Sequence, residues 1–264
     1  PQGIFIAETH AKPVGMVNAF VDKQRKEKKG FIQNLGVLPE FRRRGIGREL
    51  VNAALQSLKE RGMETAEADW VRENKPACKF FEFMGFSLIR VQSTMRMKLD
   101  KIPSNIGEYE RLKIKLMEKN MENIKLLNWI VNETFKEHFD FRPETLEETK
   151  YWVFEKPLCD IADYYFGYVD NDLVGFVGIG IDTKFVKYHG IKRGWINVIG
   201  VLKSLRRKGV GTALILHGMR DLKARGMSEA DLGVDDSNLT KAIEVYKRVG
   251  FKVVHKHLTY LKKI

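Results

Sequence analysis

A short basic turn with two glycines occurs twice in this chain, and the repeat restricts the possible folds more than any other feature. The later copy lies at 197–214 (NVIGVLKSLRRKGVGTAL) and reads as an Ile- and Val-rich strand, a turn and the start of an apolar helix. The earlier copy lies at 34–50 (NLGVLPEFRRRGIGREL), and Gly45 and Gly209 are 164 residues apart. A period of that length exceeds one supersecondary unit, so the pattern predicts a tandem duplication, not a solenoid.

Each turn is suited to hold a phosphate, because it joins a predicted strand to the start of a predicted helix. The first amides of a helix have no partner within the helix, and the helix dipole adds positive potential there. Glycines let the backbone approach a ligand closely. The turn lacks the Gly-Lys-Ser/Thr ending of a nucleotide-triphosphate loop, and Leu214 replaces the third glycine of a dinucleotide fingerprint. Taken alone, it is equally compatible with a plain strand-to-helix connection.

Other positions repeat in the same order and predict the domain organisation. Val14-Gly15 matches Val174-Gly175, and Gly85-Phe86 matches Gly250-Phe251. We therefore predict a first domain at 1–100, a linker at 101–110 and a second domain at 111–264. Mapped back by about 160 residues, the strand and two helices predicted at 111–157 would precede residue 1, so we expect the first domain to lack them.

Apolar periodicity predicts the helices of both domains. In the first domain, Leu50, Val51, Ala54 and Leu58 share one helical face. The helices predicted in the second domain lie at 121–139, 143–154, 212–225 and 238–249.

Composition excludes several classes of protein. The chain has 264 residues, 44% of them hydrophobic, which is enough for two globular cores. No apolar run is long enough to cross a bilayer, and the N-terminus has no signal pattern, so we expect a cytoplasmic protein without a membrane partner. Cys78 and Cys159 are isolated, which fits a reducing compartment and argues against a zinc site, and we expect no bound metal. The net charge of +12 suits an anionic partner, or simply a solvated Lys-rich surface.

The segment after the second turn makes the signal specific. Asn238, Ala242, Tyr246 and Gly250-Phe251 follow the Arg206-x-x-Gly209-x-Gly211 turn. With these residues the sequence resembles the GCN5-related N-acetyltransferase superfamily. The tandem layout and the segment 133–148 are similar to the two-domain branch that includes mycothiol synthase. The resemblance implies a mixed α/β (α+β) fold: two tandem acyltransferase domains with largely antiparallel, splayed sheets, the first incomplete at its N-terminus.

The resemblance also implies a site for acetyl-coenzyme A (acetyl-CoA), whose diphosphate the turn would cradle and whose pantetheine arm would pair with the central strand. The residues implied in the second copy are Val201, Leu202, Arg206, Arg207, Lys208, Gly209, Val210, Gly211, Thr212 and Asn238. Their counterparts in the first copy are Val37, Arg42, Arg43, Arg44, Gly45, Ile46, Gly47 and Asn74.

Acetyl transfer to a primary amine in a ternary complex needs a proton donor for the departing thiolate and an acceptor for the amine proton. The resemblance implies Tyr246 as the acid, and its other role would be that of a core aromatic. Phe81 occupies that position in the first copy and has no proton to give. Asn197 stands where many relatives have an acidic residue, so the nearest base candidates are Glu137, His138 and Asp140. Each of these is also compatible with a solvated charge or a helix cap.

Two other functional classes remain open at this stage. The chain could bind coenzyme A without catalysis, which is the simplest interpretation of the first copy. It could also bind nucleic acid through its basic runs, although these lack the interleaved aromatic residues that stack on bases. His255 and His257 share a strand face but have no third metal ligand in the sequence. The uncovered sheet of the first domain would need the second half or another chain, for example in a homodimer, to pack against it.

Overall fold

The computed structural model describes residues 3–72, 75–104, 106, 109–155 and 159–264. The described residues form eleven strands and seven α-helices. The strands are β1 Ile4–Thr9, β2 Lys12–Val21, β3 Lys29–Val37, β4 Thr65–Arg72, β5 Ser87–Lys98, β6 Lys113–Leu116, β7 Ile161–Val169, β8 Asp172–Ile181, β9 Arg193–Val201, β10 Glu229–Asp235 and β11 Lys252–Lys263. The helices are α1 Ile46–Glu60, α2 Lys75–Phe83, α3 Met121–Phe135, α4 Leu146–Lys150, α5 Thr183–His189, α6 Val210–Ala224 and α7 Ala242–Val249.

Two compact units are present, and they do not follow the order of the repeats along the chain. Unit 1 comprises Pro1–Gln92 together with His255–Ile264, and unit 2 comprises Ser93–Val254. Residues 93–100, at the end of the first repeat, therefore belong to unit 2, and residues 255–264, at the end of the second repeat, belong to unit 1. The linker predicted at 101–110 separates the two repeats in the sequence, and it stays a prediction. Parts of that segment pack on the core of unit 2, through Ile102, Ile106 and Tyr109.

Both units have a mixed, mostly antiparallel sheet, which confirms the predicted fold class. The strand order is β1-β2-β3-β4-β11 in unit 1 and β5-β10-β9-β8-β7-β6 in unit 2. The β3–β4 pair and the β9–β10 pair are parallel. The other pairs with a defined register are antiparallel.

In unit 2, helices cover the sheet on two sides. One cluster packs α6 against β8, β9 and β10, with Leu214, Ile215 and Met219 fully buried. A second cluster packs α3 against β7 and β8, where Phe166 and Phe176 are buried. Burial of each such side chain contributes about 1.5–3 kcal/mol to stability, so the packing of helices on both faces of the sheet is strongly favoured.

The core of unit 1 confirms the periodicity predicted for α1. Leu50, Val51, Ala54 and Leu58 are all buried. They pack with the α2 residue Phe81 and with Leu258 and Tyr260 of β11.

Three predicted helix boundaries were wrong, for local reasons. The helix predicted at 238–249 begins at Ala242, because Asn238 closes a turn instead of starting the helix. The helix predicted at 143–154 is α4, which Thr145 and Glu148 cap reciprocally, followed by a wider turn over Tyr151–Glu155. The helix predicted at 121–139 ends at Phe135. Helix α5, which Asp182 caps by accepting from the Phe185 amide, was not predicted.

No helix within the described ranges combines the length and the apolar character needed to cross a bilayer.

Candidate functional site

The central parallel strands of unit 2 separate towards their carboxyl ends. The β9–β10 ladder runs from the Arg193–Glu229 pair to the Ile196–Leu232 pair. Both strands continue beyond it, β9 to Val201 and β10 to Asp235. In unit 1 the β3–β4 ladder likewise stops at Ile32 and Ala68. Such a separation leaves main-chain groups of the central strand available to an extended ligand.

The glycine turn lies directly beyond this opening. Gly209 has φ 91°, and Arg207 is left-handed with φ 62°. A left-handed non-glycine residue costs about 1–2 kcal/mol, so the turn stores strain at this place. The first amide of α6 with a main-chain partner is that of Ala213, which donates to the Gly209 carbonyl over 2.9 Å. The preceding amides, those of residues 210–212, donate to none of the described residues, as the phosphate hypothesis requires.

Gly211 is not explained by packing within the protein. A Cβ at this position would come no closer than 3.6 Å to any neighbouring atom, in this case Val201 Cγ2. That is an ordinary van der Waals distance, so the protein itself would tolerate a side chain. The missing side chain keeps open the space above the helix N-terminus, which fits a bound diphosphate.

The cationic side chains of the turn fall into two groups. Arg207 and Lys208 are exposed, and neither forms an ion pair with any described residue. The guanidinium of Arg206 instead donates to the Val201 carbonyl (3.1 Å), the Thr134 carbonyl (3.1 Å) and Glu137 Oε2 (2.6 Å). Lys203 donates to Glu137 Oε1 over 2.6 Å. Each nitrogen of Arg206, a predicted diphosphate ligand, thus already donates one hydrogen bond within the protein, whereas Arg207 and Lys208 are available.

The other predicted arm-binding residues are partly engaged. The Leu202 amide donates to the Val174 carbonyl over 2.9 Å, and the Val201 carbonyl accepts from Arg206. Asn238 Oδ1 accepts from the amide and hydroxyl of Thr240, both at 2.7 Å. The main-chain amide of Asn238 donates to the Asp235 carbonyl over 3.0 Å, whereas its side-chain Nδ2 donates to none of the described residues and could meet a ligand.

Glu137 and His138, the two base candidates that follow α3, differ in how readily they can accept a proton. Hydrogen bonds from Lys203 and Arg206 lower the pKa of Glu137 to about 2, so this carboxylate is a weak base at neutral pH. Burial, and secondarily the charge of Arg206, lower the pKa of His138 below its usual value. A neutral imidazole can accept a proton, so His138 is the better placed of the two. The main chain of Asp140 is left-handed, with φ 58°.

Tyr246 is buried, with 8% of its surface exposed, and burial raises the pKa of its hydroxyl to about 12. It therefore keeps its proton at neutral pH. Its counterpart Phe81 is also buried and stacks on Tyr260, with ring centroids 5.4 Å apart. The two copies thus place an aromatic ring at equivalent core positions, and only the second ring has a hydroxyl.

The first-copy turn has the same shape as the second. Gly45 has φ 84° and Arg43 has φ 63°. Arg42 donates to the Val37 carbonyl over 2.9 Å, as Arg206 does to Val201. A Cβ at Gly47 would have its nearest neighbour at 3.7 Å, so this glycine too is free of packing constraints. Asn74, the predicted partner of this turn, lies outside the described residues.

Sequence reasoning missed Glu144. Two asparagines of α3 hold its main chain: Asn128 and Asn132 donate to its carbonyl (2.8 and 2.9 Å), and its amide donates to Asn132 (2.8 Å). Burial, and then the nearby charge of Glu148, raise the pKa of its carboxyl group. The Asn128–Asn132 spacing of one helical turn was the available signal, but its partner could not be read from the sequence.

Comparison with known protein families identifies the fold. The acetyltransferase (GNAT) family matches residues 1–86 and 125–251. The chain belongs to the GNAT family. It is therefore an acetyl-CoA-dependent acetyltransferase, and the family fold implies acetyl-CoA as its co-substrate.

Individual relatives align with most of the chain. A mycothiol acetyltransferase of Corynebacterium glutamicum is 28% identical over 244 residues, covering 86% of this chain and 74% of the relative. A GCN5-related N-acetyltransferase structure from Sphaerobacter thermophilus superposes with a TM-score of 0.75 at 20% identity, covering 99% and 81% of the two chains. A tandem GNAT protein from the clavulanic acid biosynthesis pathway gives a TM-score of 0.76 at 16% identity, covering 98% and 82%. The tandem GNAT architecture is thus shared along nearly the whole chain.

Proposed function

We propose that unit 2 transfers the acetyl group of acetyl-CoA to a primary amine. The observation that carries this proposal is the combination of the β9–β10 opening with the Gly209–Gly211 turn at its end. Gly211 could accommodate a side chain without a clash in the protein, yet has none. The turn amides, Arg207 and Lys208 would hold the diphosphate, and the side-chain Nδ2 of Asn238 would meet the pantetheine arm.

Tyr246 is proposed as the hydrogen-bond donor to the departing thiolate. A thiolate of this kind has a pKa of about 8.5, so its expulsion near neutral pH benefits from a donor. The raised pKa of Tyr246 keeps the hydroxyl protonated at the start of the reaction. Because that pKa lies above that of a thiol, the hydroxyl stabilises the sulfur without giving up its proton completely.

His138 is proposed as the acceptor of the amine proton, and Glu144 as a second candidate. Burial is the first cause of both pKa shifts: it lowers the pKa of His138, which keeps the imidazole neutral and able to accept a proton, and it raises the pKa of Glu144 towards neutrality. A base works best when its pKa lies near the working pH. Glu137 is not proposed as a base, because its carboxylate is tied to two cations.

For unit 1 we propose coenzyme A binding without turnover. Its turn repeats that of unit 2, but Phe81 has no hydroxyl. The described residues of this unit also include no counterpart of α3, the helix that carries the acceptor side of unit 2.

Two experiments test the proposal. Calorimetry with acetyl-CoA establishes the co-substrate, and an acetylation screen over small amines, antibiotics and peptides identifies an acceptor. With that acceptor, Tyr246→Phe should lower kcat by about 10²-fold or more, while affinity for acetyl-CoA changes little because the ring still packs.

Phe81→Tyr is the matched variant in unit 1. It should not raise turnover, and it should lower the free energy of unfolding by about 1–3 kcal/mol, because it buries a hydroxyl in an apolar cluster. A Tyr246→Phe protein with full kcat, in a reaction limited by chemistry, would assign the donor to another group. Higher turnover in Phe81→Tyr would make unit 1 a working site.

A further inference from the structure

One carboxylate joins the acceptor-side helix to the cofactor turn of unit 2. Glu137 follows the end of α3 and binds Lys203 and Arg206 with separate oxygens, each over 2.6 Å. Arg206 also donates to the Thr134 carbonyl in the last turn of α3 (3.1 Å). We call Glu137, Lys203, Arg206 and the Thr134 carbonyl the latch.

Unit 1 shows that the latch is not needed to shape the turn. There Arg42 makes the same main-chain bond as Arg206, and the left-handed residues Arg43 and Arg207 have φ 63° and 62°. Yet Arg42 forms no ion pair with any described residue. The main-chain bond to the central strand therefore suffices for the turn's geometry, and the contact with Glu137 is not needed for it.

The end of α3 lies in tight contact with the strand that leads into the turn. A Cβ at Gly200 would come within 2.4 Å of Thr134 Oγ1 and 2.5 Å of Phe176 Cε1. Thr134 is itself buried, and its hydroxyl donates to the Ile130 carbonyl over 2.7 Å. Because the helix and the strand are in close contact, a displacement of the turn also displaces the end of α3.

The same helix end carries the proposed base. The ring of His138 packs on Phe135, with centroids 4.4 Å apart, and its amide donates to the Phe135 carbonyl over 2.8 Å. A helix end held by Glu137 therefore also holds His138. Glu137 also offsets one of the two positive charges of Lys203 and Arg206, whereas Arg207 and Lys208 keep their full charge for a ligand.

We propose that Glu137 is a positioning residue through which acetyl-CoA binding at the turn orders the acceptor side of the enzyme. This inference rests on the proposed acetyl-CoA site of unit 2. Glu137 and Lys203 remain partly exposed, with 31% and 76% of their side-chain surfaces accessible, so solvent screens their attraction and stability alone does not account for the latch. Couplings between two sites typically change an equilibrium by about five-fold or more.

Hydrogen exchange of the full chain with and without acetyl-CoA tests the coupling. In the wild type, acetyl-CoA should slow exchange at the turn, residues 203–214, and also at the helix end, residues 130–139, by about five-fold or more. In Glu137→Gln, protection at the turn should remain and protection at 130–139 should fall below about two-fold. The control is Glu133→Gln, which removes the surface pair of Glu133 with Lys136 (2.7 Å) from the same helix and should behave as the wild type.

The outcomes separate the inference from the proposed function. Calorimetry that detects no acetyl-CoA binding to the wild type overturns the proposed site and the latch with it. Binding that protects the turn alone, already in the wild type, overturns only the latch. Undiminished protection of 130–139 in Glu137→Gln does the same.

Discussion

At the scale of single residues, the two copies work as internal controls for each other. Arg42 and Arg206 make equivalent main-chain bonds, but only Arg206 meets a carboxylate. Phe81 and Tyr246 fill equivalent core positions, but only Tyr246 can donate a hydrogen bond. Differences between the copies therefore indicate residues whose role is specific to unit 2, whereas the shared turns indicate what both units have in common.

Gly211→Glu tests the diphosphate site. The new carboxylate should enter the space above the helix N-terminus and repel the diphosphate, so acetyl-CoA binding to unit 2 should be lost. The fold should persist, because a Cβ there meets only Val201 Cγ2 at 3.6 Å. Gly47→Glu is the matched variant in unit 1, and calorimetric stoichiometry shows which site each change removes. Unchanged binding in both variants would place the co-substrate elsewhere.

The lowered pKa of Glu137 predicts a pH dependence of stability. Its folded value of about 2 lies below its ordinary 4.5, so its ion pairs stabilise the protein above about pH 4.5 and lose this effect as the pH falls towards 2. The melting-temperature difference between the wild type and Glu137→Gln should thus be constant near neutrality and shrink in acid. Scanning calorimetry from neutral pH to about pH 3 measures it. A difference that grows in acid would contradict the observed pairing.

At the scale of elements, the last strand, β11, contributes to the core of unit 1 although it lies in the second repeat of the sequence. β11 pairs with β4 from His257–Arg72 to Lys263–Thr65. Tyr260 and Leu258 are buried in the core of unit 1, with 1% and 5% of their surfaces exposed. The sequence placed this strand in the second repeat, but its contacts lie among residues of the first.

Deletion of residues 255–264 should therefore unfold unit 1. The loss of Leu258 and Tyr260 alone corresponds to about 5 kcal/mol or more, which is comparable with the whole stability of a typical domain. Limited proteolysis should then cleave within α1, which is protected in the intact chain. A shorter deletion of 261–264 keeps both core residues and is the control. Equal protease resistance of all three proteins would mean that unit 1 does not depend on β11.

At the scale of the whole molecule, one sheet face differs between the units. Phe166 and Phe176 lie under α3 in unit 2, with 2% and 0% of their surfaces exposed. The corresponding residues of unit 1, 160 positions earlier, are Ile6 and Met16, which are 58% and 40% exposed. Ile4 and Phe20 extend this apolar surface.

A homodimer that covers this surface stays a prediction. Sedimentation should show a concentration-dependent dimer, because exposed contiguous apolar surface of this kind favours association. Ile6→Glu should shift the equilibrium towards the monomer. Phe83→Ser, which removes another exposed hydrophobic side chain (73% exposed) from α2, should leave it unchanged. A wild-type protein that stays monomeric at every concentration would refute the prediction.

The sequence by itself determined the features that are encoded within one turn and its adjoining elements. The duplicated glycine turns and the buried face of α1 were predicted, because glycine positions and apolar periodicity act over about 15 residues. The mixed sheet was predicted from the family resemblance that these motifs carry. Only the tertiary structure decided which distant groups meet. Glu137 and Arg206 are 69 residues apart in the chain, and β11 pairs with a strand of the opposite repeat. These contacts depend on strand pairing and helix docking, for which a single sequence carries no local signal. The glycine turns could therefore be predicted as a binding site, whereas the link between the second turn and the acceptor-side helix could not.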